Sequence, residues 1–271
     1  MGGTANGGTI ERDIVFAQGA SRDLLCDVYR PADNEKTTAI IHLHGGGFRG
    51  GDKAGCRLAL PLAERGFVCV AAQYNLANEA KWPAQLLDVK AAIRWTRANA
   101  SSLGVAPDKI VILGYSAGAN LALTAAGAPS LHDFDGAGSN TDIGTDLAAC
   151  IAFYPPDTMR RRSNGADHIV MPDGSSDEDY RLASPISHVS PGSPPTLLFH
   201  GTADTTISFE SSLRLFTSLQ AAGVPSELHL LDRLPHVFDR NSEFAACCAE
   251  LCDLFLDRNV VNPRVYPAIL P

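Results

Sequence analysis

Five consecutive residues, Gly114-Tyr115-Ser116-Ala117-Gly118, constrain this chain more than any other stretch. They follow the β-rich run Lys109-Ile110-Val111-Ile112-Leu113. They precede Ala119-Asn120-Leu121-Ala122-Leu123-Thr124-Ala125-Ala126, a helix-forming run that stops at Gly127. Gly-x-Ser-x-Gly between a strand and a helix reads as a sharp turn. A side chain at either glycine would clash with the neighbouring strand or helix, and the serine is expected in a strained backbone conformation with its hydroxyl presented for attack.

The rest of the chain supplies a setting for such a turn. Strand-like segments run from Thr9 to Phe16, Leu24 to Tyr29, Thr38 to His44, Phe67 to Gln73, Lys109 to Leu113, Ala148 to Tyr154, Thr196 to His200 and Ser226 to Leu231. Helix-like segments alternate with the later ones, so the expected class is α/β, a mostly parallel eight-stranded sheet with helices on both faces. The first two strands have no helix between them and are expected as an antiparallel edge. Pro83 to about Ser102 reads as a helix. Leu86, Val89, Ile93, Thr96 and Ala100 share one face, Asp88, Lys90, Arg94 and Arg97 fall mostly on the others, and Gly104 is the stop. Ala128 to Asp146 and Asp157 to Pro195 lack that periodicity and read as surface connections. The second is a short insertion over the candidate site, and loops of this length commonly serve as lids or binding segments. A single domain over 1–271 accounts for all of it.

Composition narrows the function classes. A formal charge of -8, with Arg160-Arg161-Arg162 the only basic run, argues against nucleic acid or an anionic membrane surface as partner, and that run reads as a solvated loop. The N-terminus carries no charged and apolar leader, and no later stretch is long enough to span a bilayer. The expectation is a cytoplasmic protein. Seven cysteines without a Cys-x-x-Cys spacing fit reduced thiols. Cys247, Cys248 and Cys252 on one helix read as small apolar residues, not a metal site. Asp133, Asp135, Asn140 and Asp142 imitate a calcium loop, but Gly144 stands where its closing Glu belongs, so no metal is expected.

A serine hydroxyl is a weak nucleophile until a histidine can take its proton and a carboxylate orients that histidine. Asp204 lies in Gly201-Thr202-Ala203-Asp204 at the carboxyl end of one strand-like segment. His236 lies five residues beyond the next. These two are the expected partners of Ser116. His42, His200 and His229 fall inside strands, His132, His168 and His188 lie in irregular loops, and Asp232 and Asp239 do not follow the strand that precedes the histidine's. Negative charge developing on a substrate oxygen calls for fixed N–H donors. His44-Gly45-Gly46-Gly47-Phe48 follows a strand and offers the amides of Gly46 and Gly47, with Ala117 as a third and His44 bracing the loop. Phe48, Tyr115, Tyr154, Val237 and Phe238 adjoin these loops and are candidate pocket residues.

With these motifs placed, the chain resembles the α/β-hydrolase superfamily over nearly its whole length, including the chain order Ser116, Asp204, His236. The closer likeness is to esterases related to hormone-sensitive lipase, and especially to their compact relatives with a His-Gly-Gly-Gly-Phe or -Trp loop. Arg49-Gly50-Gly51-Asp52-Lys53, Gln73-Tyr74-Asn75-Leu76 and Lys81-Trp82-Pro83-Ala84-Gln85 leading to Asp88 extend it. The resemblance implies hydrolysis of carboxylic esters through an acyl-serine intermediate without a cofactor. Tyr115 stands where that group commonly has Asp, and no N-terminal helical cap precedes the strands, so the cap is expected to be reduced or absent. The expected partner is a small-molecule ester with a short acyl group, and a homodimer is left open. Deacetylation of a sugar or hydrolysis of a feruloyl ester, hydrolysis of an N-formyl amide as in kynurenine formamidase, and a ligand receptor on the same fold are the alternatives.

Overall fold

The computed structural model describes residues 2–3, 7–128, 140–161 and 168–266. Nine strands form one sheet: β1 (Gly2–Gly3), β2 (Thr9–Gln18), β3 (Asp23–Arg30), β4 (Ala39–Leu43), β5 (Val68–Ala72), β6 (Ile110–Tyr115), β7 (Ala149–Phe153), β8 (Thr196–Gly201) and β9 (Ser226–Leu231). Their spatial order is β1-β2-β3-β5-β4-β6-β7-β8-β9. The first three pairings are antiparallel and all later ones parallel. The expected count of eight is thus corrected to nine. The extra strand is a pair of glycines, which carry neither β propensity nor alternation to announce themselves.

Side-chain alternation along the inner strands sorts the core into two layers. Ile41, Leu43, Ile112, Cys150, Ala152 and Leu198 face one side, where α2 (Ala84–Ala98), α3 (Ala100–Leu103), α4 (Ala117–Gly127) and α6 (Glu210–Ala221) pack. Ile40, Val111, Leu113, Ile151, Leu197 and Phe199 face the other, covered by α1 (Ala59–Ala63) and α7 (Ser242–Leu256). Strands β4, β6 and β7 are buried throughout, as a parallel sheet sheathed on both faces requires.

Three expectations are revised. The helix read from Pro83 to Ser102 is two helices broken at Asn99, with Pro83 just before the first helical residue and Gly104 closing the second at φ 72°. The charged residues assigned to the open faces of α2 are largely interior: Asp88, Lys90 and Arg94 are all buried, and Arg94 Nε donates to the Ile143 carbonyl at 3.0 Å. Asp88 Oδ2 accepts from the Asn75 N–H and Nδ2 at 2.7 and 2.8 Å. Residues 157–195 are more than surface connection. Within them, α5 (Asp177–Leu182) starts at a Ser176/Asp179 capping box, and Val170, Met171, Tyr180 and Ala183 join the core. Asn120 Nδ2 on α4 donates to the Ala183 carbonyl at 3.3 Å, and the Lys81 ammonium and Trp82 N–H donate to the Ile169 and Val170 carbonyls. Of the acidic and basic runs, Asp133, Asp135 and Arg162 lie outside the described residues.

Candidate active site

Every proposed site element sits at the carboxyl end of a parallel strand: the glycine loop after β4, Ser116 after β6, Asp204 after β8 and His236 after β9. Open α/β sheets place ligand sites on this edge because the turns there converge.

Ser116 occupies the bend between β6 and α4 at φ 51°, ψ -113°. The flanking glycines are dictated by contact. A Cβ on Gly114 would run into the Gly118 carbonyl, and one on Gly118 would run into the Leu43 and His44 carbonyls at the end of β4. The elbow is therefore pressed against the strand that delivers the glycine loop. Its proximity is enforced by two missing side chains.

His236 Nε2 lies 3.1 Å from Ser116 Oγ, and His236 Nδ1 lies 2.6 Å from Asp204 Oδ2. The Asp204 carboxylate is fully buried, and its Oδ1 accepts the N–H groups of Thr206 and Ile207 at 2.8 and 2.9 Å. Those amides fix the orientation of the carboxylate. One further contact is absent from the sequence reading. His200, taken there as a core histidine, does lie in the core. Its Nε2 is also 3.2 Å from Asp204 Oδ2, while donating to the Ile207 carbonyl at 3.0 Å, and its Nδ1 accepts from Ser212 Oγ at 2.7 Å. Burial pushes the His200 pKa down, so the ring is neutral and acts as an N–H donor beside the acid. The i, i+4 spacing of His200 and Asp204 is the only sequence trace of that contact.

The glycine loop is aimed by hydrogen bonds on its carbonyls. His44 stacks on Tyr74 at 4.3 Å between ring centroids, the Tyr74 hydroxyl donates to the His44 carbonyl at 2.8 Å, and burial lowers the His44 pKa. The neutral ring donates from Nδ1 to the Gly45 carbonyl at 2.8 Å. A trans peptide points its C=O and N–H in opposite directions, so anchoring the Gly45 carbonyl turns the Gly46 N–H to the far side. The Arg49 N–H holds the Gly46 carbonyl at 3.0 Å and orients the Gly47 N–H in the same manner. Ala117 is the first residue of α4, where N–H groups lack an intrahelical acceptor.

The five candidate pocket residues separate. Phe48, at φ 61° and buried, meets the edge of His168 at a centroid distance of 6.0 Å. Tyr115 and Phe238 belong to the core layer under α1 and α7; the Tyr115 hydroxyl accepts from the Leu58 N–H at 3.0 Å. They pack the core and are withdrawn as pocket residues, because strand alternation turns Tyr115 away from the elbow that Ser116 begins. Tyr154 sits 4.5 Å from the His236 ring with its hydroxyl bound to Asp239, so it touches the histidine. Val237, at φ 60°, packs at the margin of the same layer. Among the described residues no group of three or more His, Cys, Asp and Glu is placed to hold a metal ion, and no helix is long and apolar enough to cross a membrane.

Comparison with known proteins agrees with this architecture. The BD-FAE family model matches residues 26–219. The probable carboxylic ester hydrolase LipM and the esterase LipQ, both of Mycobacterium tuberculosis, are each 29% identical, over 78% and 84% of this chain and 50% and 57% of their own lengths. The chain thus spans about half the length of the curated relatives it matches. Among solved structures, the thermophilic esterase Est2 of Thermogutta terrifontis is 30% identical with a TM-score of 0.79, covering 96% of this chain and 95% of that one. With an elbow serine, a glycine loop and an acid–histidine pair set on the edge of a mostly parallel sheet, the chain belongs to the BD-FAE family and has the α/β-hydrolase fold.

Proposed function

We propose that this protein is a serine carboxylic ester hydrolase that turns over short-chain esters through an acyl-enzyme intermediate. The observation that carries the reading is the unbroken line from Asp204 Oδ2 through His236 to Ser116 Oγ, at 2.6 and 3.1 Å, next to a loop whose amides are aimed by their own carbonyls. In this reading His236 Nε2 takes the Ser116 proton as Oγ bonds to the ester carbonyl carbon. The resulting oxyanion is held by the N–H groups of Gly46, Gly47 and Ala117. His236 then passes the proton to the departing alkoxide as its C–O bond breaks, leaving an acyl-serine and a free alcohol. Water then gives a proton to the same histidine as its oxygen bonds to the acyl carbon, and the bond from that carbon to Ser116 Oγ breaks as Oγ takes the proton back, which releases the acid. Asp204 keeps the proton on Nδ1 before attack and stabilises the imidazolium after it.

The ester class is supported by the names of the relatives LipM and LipQ. Short acyl length is supported by Est2, which has been solved with propionate and with butyrate bound, and the nucleophilic serine by its phosphorylation by paraoxon. A cytoplasmic setting belongs to the same reading and fits seven cysteines that are all free thiols.

The test is labelling by a fluorophosphonate together with turnover of acetyl, butyryl and octanoyl nitrophenyl esters and N-formylkynurenine. Labelling at Ser116 and a preference for the acetyl and butyryl esters are expected, and Ser116→Ala should lose about a thousandfold or more in kcat while remaining folded. Folded protein that resists the label sinks the enzyme reading, and faster turnover of the formamide replaces the ester with an amide.

A further inference from the structure

Both nitrogens of His236 are engaged, one by Ser116 and one by Asp204, so the orientation of the ring depends on what meets the rest of it. Tyr154 does so, at a centroid distance of 4.5 Å and an interplanar angle of 61°. Its hydroxyl is taken up by the loop that carries the histidine. It donates to Asp239 Oδ1 at 2.6 Å, three residues beyond His236 on the same turn. Arg57 closes the cycle, with Nε donating to Asp239 Oδ2 at 2.6 Å and Nη2 to the Tyr154 hydroxyl at 3.2 Å.

The three come from separate parts of the chain: Tyr154 from the end of β7, Asp239 from the histidine loop, Arg57 from the segment that leaves the glycine loop. Arg57 also lies 5.3 Å from the ring of Tyr115, the residue before the nucleophile. Tyr154 and Asp239 are each 1% exposed. A carboxylate that deep is strongly disfavoured unless it is paired, and Arg57 is the pairing cation. Burial works against the Arg57 charge, and the hydrogen bond and charge of Asp239, together with Tyr154 and Tyr115, outweigh it. The backbone is strained at both ends of the contact, with Tyr154 at φ 41° and Val237 at φ 60°. Non-glycine residues keep such conformations where surrounding structure over-determines them, and these sites cluster at functional centres.

We propose that Arg57, Asp239 and Tyr154 form a clamp that fixes the ring of His236 and balances the charge beside it, making them positioning residues for the ester hydrolysis above, on which this inference rests. The groups around His236 are Asp204 from the turn after β8, His200 of β8 beside that acid, Ser116 from the elbow, Tyr154 from the end of β7 and, bonded to Tyr154, Asp239 from the histidine loop and Arg57 from the segment that leaves the glycine loop. Asp204 and His200 are untouched by changes in the clamp, so the sign of any effect follows from the Arg57–Asp239 pair. Without Arg57 a bare buried carboxylate remains near the imidazole and favours its protonation. Without the Asp239 charge a bare guanidinium remains and opposes it.

The experiment is the pH profile of kcat/KM on nitrophenyl acetate for wild type, Arg57→Gln, Arg57→Lys, Asp239→Asn, Tyr154→Phe and the Arg57→Gln/Asp239→Asn double variant. The acid limb should move up in Arg57→Gln and down in Asp239→Asn, each by about half a pH unit or more. It should return close to the wild-type position in Arg57→Lys and in the double variant. Tyr154→Phe should lower kcat about tenfold with KM within about twofold. A purely structural role would shift the profiles of the two single charge variants alike or not at all. Should Asp239→Asn fail to fold by circular dichroism, the Arg57→Gln and Arg57→Lys pair decides the matter alone. Wild type labelled by fluorophosphonate with an acid limb unmoved in Arg57→Gln overturns the clamp. Folded wild type that takes no label overturns the esterase reading and the clamp with it.

Discussion

At the scale of single residues, two adjacent glycines of the loop after β4 have different reasons to be glycine. A Cβ on Gly46, at φ 128°, would collide with the Gly50 carbonyl, whereas one on Gly47, at φ 61°, would meet nothing within 4 Å. Gly46→Ala must move the loop and with it the amides it carries. Its kcat is expected to fall about a hundredfold to a thousandfold, the range for loss of an oxyanion donor. Gly47→Ala faces only the left-handed conformation, about 1–2 kcal/mol, and should keep activity within about tenfold of wild type. Steady-state kinetics on both variants check this, and equal losses would show that the loop tolerates neither side chain for a common reason. The run of glycines is legible in the sequence. Which one is intolerant of a side chain is not, because the obstructing carbonyl belongs to the return of the same loop.

At the scale of an element, β4 carries His42 in its interior. The residue is fully buried, and neither ring nitrogen has a hydrogen-bond partner among the described residues. Burial pushes its pKa down to about 3, so it is neutral in the fold. An imidazole in that position loses its water without replacement, and an apolar side chain of similar size does not. We expect His42→Leu to stabilise the protein by about 1 kcal/mol near neutral pH. The gain should be larger at pH 5, where only the unfolded histidine protonates. Urea unfolding at the two pH values measures it, and a lower midpoint in the variant would show that the strand needs the imidazole. Elements with strong periodicity, β4 and β6 among them, are readable from their apolar runs. Helix α2 is not fully readable: its charged residues suggest solvent, yet Asp88, Lys90 and Arg94 are buried, Asp88 against Asn75 and Arg94 against the Ile143 carbonyl. Periodicity reports one buried face and is silent when tertiary cover hides a second.

At the scale of the whole molecule, stability should depend on pH through groups scattered over several elements. His42, His44, His188, His200 and His229 all have pKa values lowered chiefly by burial. Each binds its proton less readily folded than unfolded, so the unfolded chain gains protons as pH falls below the ordinary value of 6.5 and stability drops towards the lower folded value. Asp88 acts in the opposite sense. Burial raises it to about 6 from an ordinary 3.8, so it favours the fold as pH falls through that window. One carboxylate stands against five imidazoles. The urea midpoint is therefore expected to be lower at pH 5 than at pH 7.5, and a midpoint that rises on acidification would contradict this balance.

The division between sequence and structure runs along the same scales. Local chemistry in the sequence determined the elbow, the glycine loop, the alternation of strands and helices and the chain order of Ser116, Asp204 and His236, because turn geometry, periodicity and topology are written in neighbouring residues. Only the tertiary structure decided that Tyr115 and Phe238 pack the core, that His200 touches the acid, and that Arg57 meets Asp239 across 182 positions of chain. Such contacts depend on where the ends of different strands converge, and no local pattern encodes a distance between segments that meet only when the sheet is complete.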